Sequence, residues 1–102
     1  MNDRELLELA AKAAGRIDWD HAPHIKSDEG DTRPWWNPLT DDGDALRLAV
    51  RLRLEIDIHH TGIAILTPNG INVLVGAEDE PDANAATRRA IVRAAAEIGR
   101  AA

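Results

Sequence analysis

The sequence predicts an α+β fold: a small antiparallel sheet, a three-stranded meander with a candidate fourth short strand, packed with three helices. Three observations predict it. Apolar residues recur at helical spacing in three stretches, around 3–15, 41–53 and 78–100. Between the second and third stretch lie three short apolar runs separated by turn signals. The chain of 102 residues has the length of one domain, and 1–102 is read as a single unit.

The first helix follows from Leu6, Leu9, Ala10 and Ala13, which fall on one stripe at i, i+3, i+4 and i+7. Glu5, Glu8 and Lys12 lie opposite, and Glu8 with Lys12 makes an i,i+4 pair of favourable polarity. Gly15 is the natural stop. Residues 16–39 are the least regular. "RIDWD" alternates and is the candidate fourth strand, while Pro23, Gly30, Pro34 and Pro38 punctuate the remainder. Residues 20–34 read as a long acidic loop, expected to be the most mobile part.

The second helix repeats Ala45, Leu48, Ala49 and Leu52, with Leu46 and Val50 widening its apolar face and Arg47 and Arg51 on the wet edge. A helix this apolar is expected at the centre of the packing. "LEIDIH" then alternates, with Leu54, Ile56 and Ile58 on one face and Glu55, Asp57 and His59 on the other. "HTG" turns the chain, "IAIL" returns it, "TPNG" turns it again and "INVLV" closes. Asn69-Gly70 is a strong hairpin signal because both residues tolerate positive φ, and local turns imply antiparallel pairing. In the last helix Pro81 and Asp82 suit the start, and Ile91, Ala94, Ala95 and Ile98 form the expected buried stripe. Ala64, Leu66 and Leu74 give the second face of the sheet apolar character, which implies helices on both faces or a partner.

Composition narrows the function classes. With no Phe and no Tyr, aliphatic residues must build the core around Trp19, Trp35 and Trp36. The absence of cysteine excludes disulfides, thiolate catalysis and Cys-ligated zinc. No apolar run approaches the ~20 residues of a membrane span, and the expected location is the cytoplasm. The net charge is −6, and residues 17–44 alone carry eight acids against two bases. Such a chain is not expected to bind nucleic acid, which requires a cationic surface to neutralise phosphates. A basic protein surface is the more natural partner.

The acid excess surrounds "TRPWWNPLTDDGD" (32–44). Thr40 or Asp41 can cap the following helix, and the other aspartates suit its positive end. A cation loop would need alternating ligands and a distal acid, a spacing "DDGD" lacks. The adjacent tryptophans point opposite ways in extended chain, between the stiffening Pro34 and Pro38. Trp36, beside Asn37-Pro38, is expected to cover the helix start, and Trp35 to be the exposed member.

His21, His24, His59 and His60 show neither the helical pair spacing nor the flanking carboxylates of zinc hydrolases. The expectation is no metal and no cofactor. Ser27 is the only serine, with no glycine elbow around it. "TPNGINVLVG" carries no lysine and runs into a strand, so it is not a phosphate loop. Arg88, Arg89, Arg47 and Arg51 read as solvated helix faces.

Two stretches are more specific than composition: "WNPLTDDGDALRLAVRL" (36–52) and "DANAATRRAIVRAAAEIG" (82–99). Together they resemble a family of short proteins from tailed phages and bacterial prophages, the phage α–β–α sandwich domain group. There a tryptophan–asparagine–proline turn, an acidic helix start and a C-terminal Ala/Arg helix recur around a small sheet. The resemblance implies a phage or prophage origin and a fold, and carries over no catalytic residue. It does not reach 18–33.

The expected function is therefore a non-enzymatic accessory protein that binds another macromolecule. Its contact residues would be Trp35, Asp28, Glu29 and Asp31, with Trp36, Asn37, Pro38, Thr40 and Asp41 forming the structural turn. A specific version is an inhibitor that sets the acidic loop against a basic host protein. Two alternatives stand beside it. One is a small metal-dependent or acid/base enzyme using His21, His24, His59, His60 and the loop aspartates. The other is a structural homodimer joined through the apolar second face of the sheet.

Overall fold

The computed structural model describes residues 2–15 and 36–101. In chain order these form α1 (Asp3–Ala14), α2 (Asp42–Leu52), β1 (Glu55–His59), β2 (Gly62–Leu66), β3 (Asn72–Gly76) and α3 (Ala83–Ala101). This is an α+β fold: three helices and an open antiparallel sheet in the order β1–β2–β3. The candidate fourth strand and the acidic loop at 20–34 lie outside the described residues. Among the described residues no helix is long and apolar enough to cross a membrane.

The sheet is a meander because both of its connections are local turns. Its register pairs Ile56 with Ile65 and Ile58 with Ile63, then Ile63 with Val75 and Ile65 with Val73. All six side chains share one face, and Ile63, Ile65, Val73 and Val75 are buried there. In the second turn Gly70 adopts φ 89 and donates its N–H to the Thr67 carbonyl. The buried Thr67 hydroxyl accepts from the Ile71 N–H at 2.9 Å and donates to the Asn69 side chain.

The helices stack on that inner face. α3 packs on β2 and β3, and α1 and α2 pack on α3. α3 is thus a middle layer, which corrects the expected single stripe on it. Ala86, Ala90, Ile91, Val92, Ala94, Ala95, Ala96 and Gly99 are buried around its circumference, while Ile98 is only half-buried. α1 is rotated by one residue from expectation: Leu7, Ala10, Ala11 and Ala14 are buried, and Leu6, Leu9 and Ala13 are half-buried. The reason is proximity. A Cβ on Gly99 would lie 2.0 Å from the Leu9 carbonyl oxygen, so the backbones touch and only small side chains fit between them. On the wet side of α1, Arg4 pairs with Glu8 at 3.0 Å.

Two further expectations change. The described helices leave the outer face of the sheet uncovered, with Leu66 and Leu74 exposed and Ala64 half-buried. On α2, Ala45, Leu48 and Ala49 are buried, but Leu46 and Val50 are 61% and 59% exposed rather than part of the core. α2 touches α3 along one narrow arc, which leaves the next arc of apolar side chains outside.

Candidate functional site

The turn into α2 accounts for its own acids. Asp41 is the N-cap, and its Oδ2 accepts from the Asp44 N–H at 2.8 Å. Asp44, only 7% exposed, reaches back so that its Oδ2 accepts from the Asn37 N–H at 2.9 Å, and its Oδ1 accepts from Arg47 at 2.8 Å. The Asn37 side chain accepts from the Leu39 N–H, and the Thr40 hydroxyl donates to the Asn37 carbonyl. Asp42 pairs with Arg88 Nη1 at 2.6 Å, while Arg88 Nε donates to the Leu39 carbonyl at 2.8 Å. Arg88 is therefore a strap from α3 to the start of α2, not the solvated side chain its sequence context suggests. Trp36 is 4% exposed and joins the core, and Pro38 is fully buried. Each carboxylate of "DDGD" has a structural partner.

The histidines are divided. His59 stands on the outer face, Nε2 at 3.1 Å from the Asp57 carboxylate, and both are well exposed. His60 is exposed in the following turn. Among the described residues no group of three or more His, Asp or Glu could hold a metal ion. Trp35, Asp28, Glu29, Asp31, His21 and His24 lie outside the described residues.

A different surface emerges where α2, β1 and α3 meet. A groove of about 340 Å³ opens there. Leu46 on α2 and Ile56 and Ile58 on β1 form its walls, and Ile91 of α3 its floor. Ile58 is 64% exposed although it belongs to the inner, apolar face of the sheet. Arg88 and Asp42, fixed to each other, close one end. The two walls are consecutive elements joined only by Arg53 and Leu54. Arg53 sits at φ 57 and gives its N–H to the Ala49 and Val50 carbonyls, and Leu54 donates to Ala49. That tight reversal sets α2 and β1 side by side without letting them close.

β1 is also an edge strand, and the direction of its backbone groups can be worked out. The Thr67 N–H donates to the Ile71 carbonyl and the Ala77 N–H to the Thr61 carbonyl, so odd-numbered residues carry the β2–β3 bonds. Hydrogen-bonding residues alternate along a strand, so Gly62, Ala64 and Leu66 turn toward β1. Their partners Gly62↔His59, Ala64↔Asp57 and Leu66↔Glu55 fill that ladder. The N–H and C=O groups of Ile56 and Ile58 therefore point to the outer edge, where no described strand pairs with them.

Sequence reading placed Leu46 on the apolar face of α2 and Ile56 and Ile58 on one face of their strand, a spacing that core residues share. The available signal was excess: Ala45, Leu46, Leu48, Ala49, Val50 and Leu52 cover more than half of a helix that packs along only one side.

Comparisons with protein-family models, with curated proteins and with solved structures find no match to this chain. Among the described residues, the fold and the groove define a small α+β domain with a strand edge left open beside a helix.

Proposed function

We propose that this chain is a non-enzymatic accessory protein of phage or prophage origin that binds another protein, and that the groove between α2 and β1 is its contact surface. One observation carries the reading. Leu46 and Ile58, each about three-fifths exposed, line one groove together with the half-buried Ile56. Contiguous exposed aliphatic surface on a small domain marks an interaction site more often than scattered single residues do. The walls of the groove are held by Arg88–Asp42 and by the α2–β1 reversal, so the surface is preformed and loses little entropy on binding. An inhibitor of a host protein is the specific form of this proposal.

The test is affinity capture with mass spectrometry from lysogenic or infected cells, using the intact chain and two variants. Ile58→Asp places a charge in the groove, and Leu74→Lys places one on the outer face of the sheet. The expected result is a partner retained by the Leu74→Lys variant and lost by the Ile58→Asp variant. A partner lost only on Leu74→Lys, or no protein whose capture depends on Ile58, overturns the proposal.

A further inference from the structure

The groove has three properties that together restrict what fits it. Its β1 wall offers the backbone donors and acceptors of Ile56 and Ile58, which no strand among the described residues pairs with. The same two residues turn their side chains into the groove, because hydrogen-bonding direction and side-chain face alternate with the same period. The residues between and beside them, Glu55 and Asp57, are exposed on the other face and acidic.

From this, and resting on the reading of the groove as a protein-binding site, we infer that the occupant is an extended peptide segment of a basic partner, added antiparallel as a fourth strand to β1, with apolar side chains at alternate positions and lysine or arginine at the positions between. Strand addition takes its affinity from main-chain hydrogen bonds and its selectivity from alternate side-chain pockets. Inward side chains of the added strand would lie over Ile56, Ile58, Leu46 and Ile91, removing the exposed aliphatic surface from water. Outward side chains would stand across from Glu55 and Asp57, where cross-strand pairs of opposite charge stabilise and like charges repel.

In two of the three symmetric registers centred on Asp57, Ile56 and Ile58, these acids would face acids of a second copy, and only the register about Ile58, which sets Asp57 against His59, avoids this. Two β1 strands paired about Asp57 would set that residue against its own copy. Pairing about Ile56 would set Asp57 against Glu55. Acidic residues on an edge strand are a known guard against self-pairing. Here they double as a filter that admits a cationic strand.

The test uses the intact chain and a short synthetic peptide that alternates lysine and valine, with a glutamate–valine peptide of the same length as its control. Amide exchange and chemical shifts are followed by NMR. The lysine–valine peptide is expected to slow exchange at the Ile56 and Ile58 N–H groups and to bind about tenfold or more tightly than the glutamate–valine peptide. The double variant Glu55→Lys with Asp57→Lys is expected to reverse that preference. Ile58→Asp, at an exposed position, is expected to fold normally and lose both effects. Equal binding of the two peptides, or shifts without protection at Ile56 and Ile58, overturns strand addition. So does protection of these amides in peptide-free protein that light scattering finds dimeric, which would make a second copy the occupant. If strand addition fails while a partner still depends on Ile58 in the capture experiment, the binding-module reading stands and only its mode is wrong. If both fail, the groove is not the site.

Discussion

The α1–α3 contact and the α2–β1 groove use their side chains in opposite ways. Where α1 meets α3 the residues are small: Ala10, Ala11 and Ala14 on one helix, several alanines and Gly99 on the other, with backbones in contact. Where α2 faces β1 the residues are large, Leu46, Ile56 and Ile58, and the elements stand apart. Small side chains lose little or no rotamer entropy on burial and let dispersion act backbone to backbone. Large aliphatic ones hold most of the transferable apolar area, and in the groove much of it is left in water. The α1–α3 contact is thus closed by small apolar residues, while the groove keeps large ones partly in water.

That contrast can be broken most forcefully at the one large aromatic among the described residues. Trp36→Ala empties a core position next to α2 and should cost about 3–5 kcal/mol, as for other buried aromatics. Measured by denaturant unfolding, this is a large part of the roughly 5–15 kcal/mol that holds a small domain together. A loss below about 1 kcal/mol would mean that the core does not depend on that ring. The next effect tests the backbone contact. Gly99→Ala should improve helix propensity by about 1 kcal/mol. It should nevertheless destabilise the protein, because the new Cβ meets the Leu9 carbonyl, and overpacking of this kind costs about 1–3 kcal/mol. A rise in melting temperature would show that α1 and α3 can separate freely. The smallest effect belongs to the groove. Leu46→Ser should change stability by no more than about 0.5 kcal/mol, the range of ordinary surface substitutions. Thermal melts would expose a larger loss, and Leu46 would then belong to the core.

Much of the fold was readable in the sequence for local reasons. Gly15, Asp41, Asn69-Gly70 and Asp82 act through their own backbone neighbourhood, so they mark element ends wherever the elements later pack. Alternation in "LEIDIH" set Ile56 and Ile58 on one face before any contact was known. The depth of each layer was not readable. Alanine is compatible with either burial or exposure, so the all-round burial of α3 left no periodic trace. Leu46, Val50 and Ile58 look like core residues because the sequence cannot say that α3 covers β2 and β3 and stops short of β1. Arg88 was misread for a related reason, since its partners Leu39 and Asp42 lie more than forty positions away.

The two edges of the sheet differ in one further respect. On β3, Arg93 of α3 donates to the Leu74 carbonyl at 3.2 Å and so occupies an outward-facing acceptor. β1 has no such plug among the described residues. A sheet extendable at both margins can recruit strand after strand and grow into a filament. A sheet obstructed on one margin can take a single strand on the other and then stop. Were a strand added at β1 as proposed, the Arg93 contact would oppose a second addition at β3 and favour a complex of fixed stoichiometry.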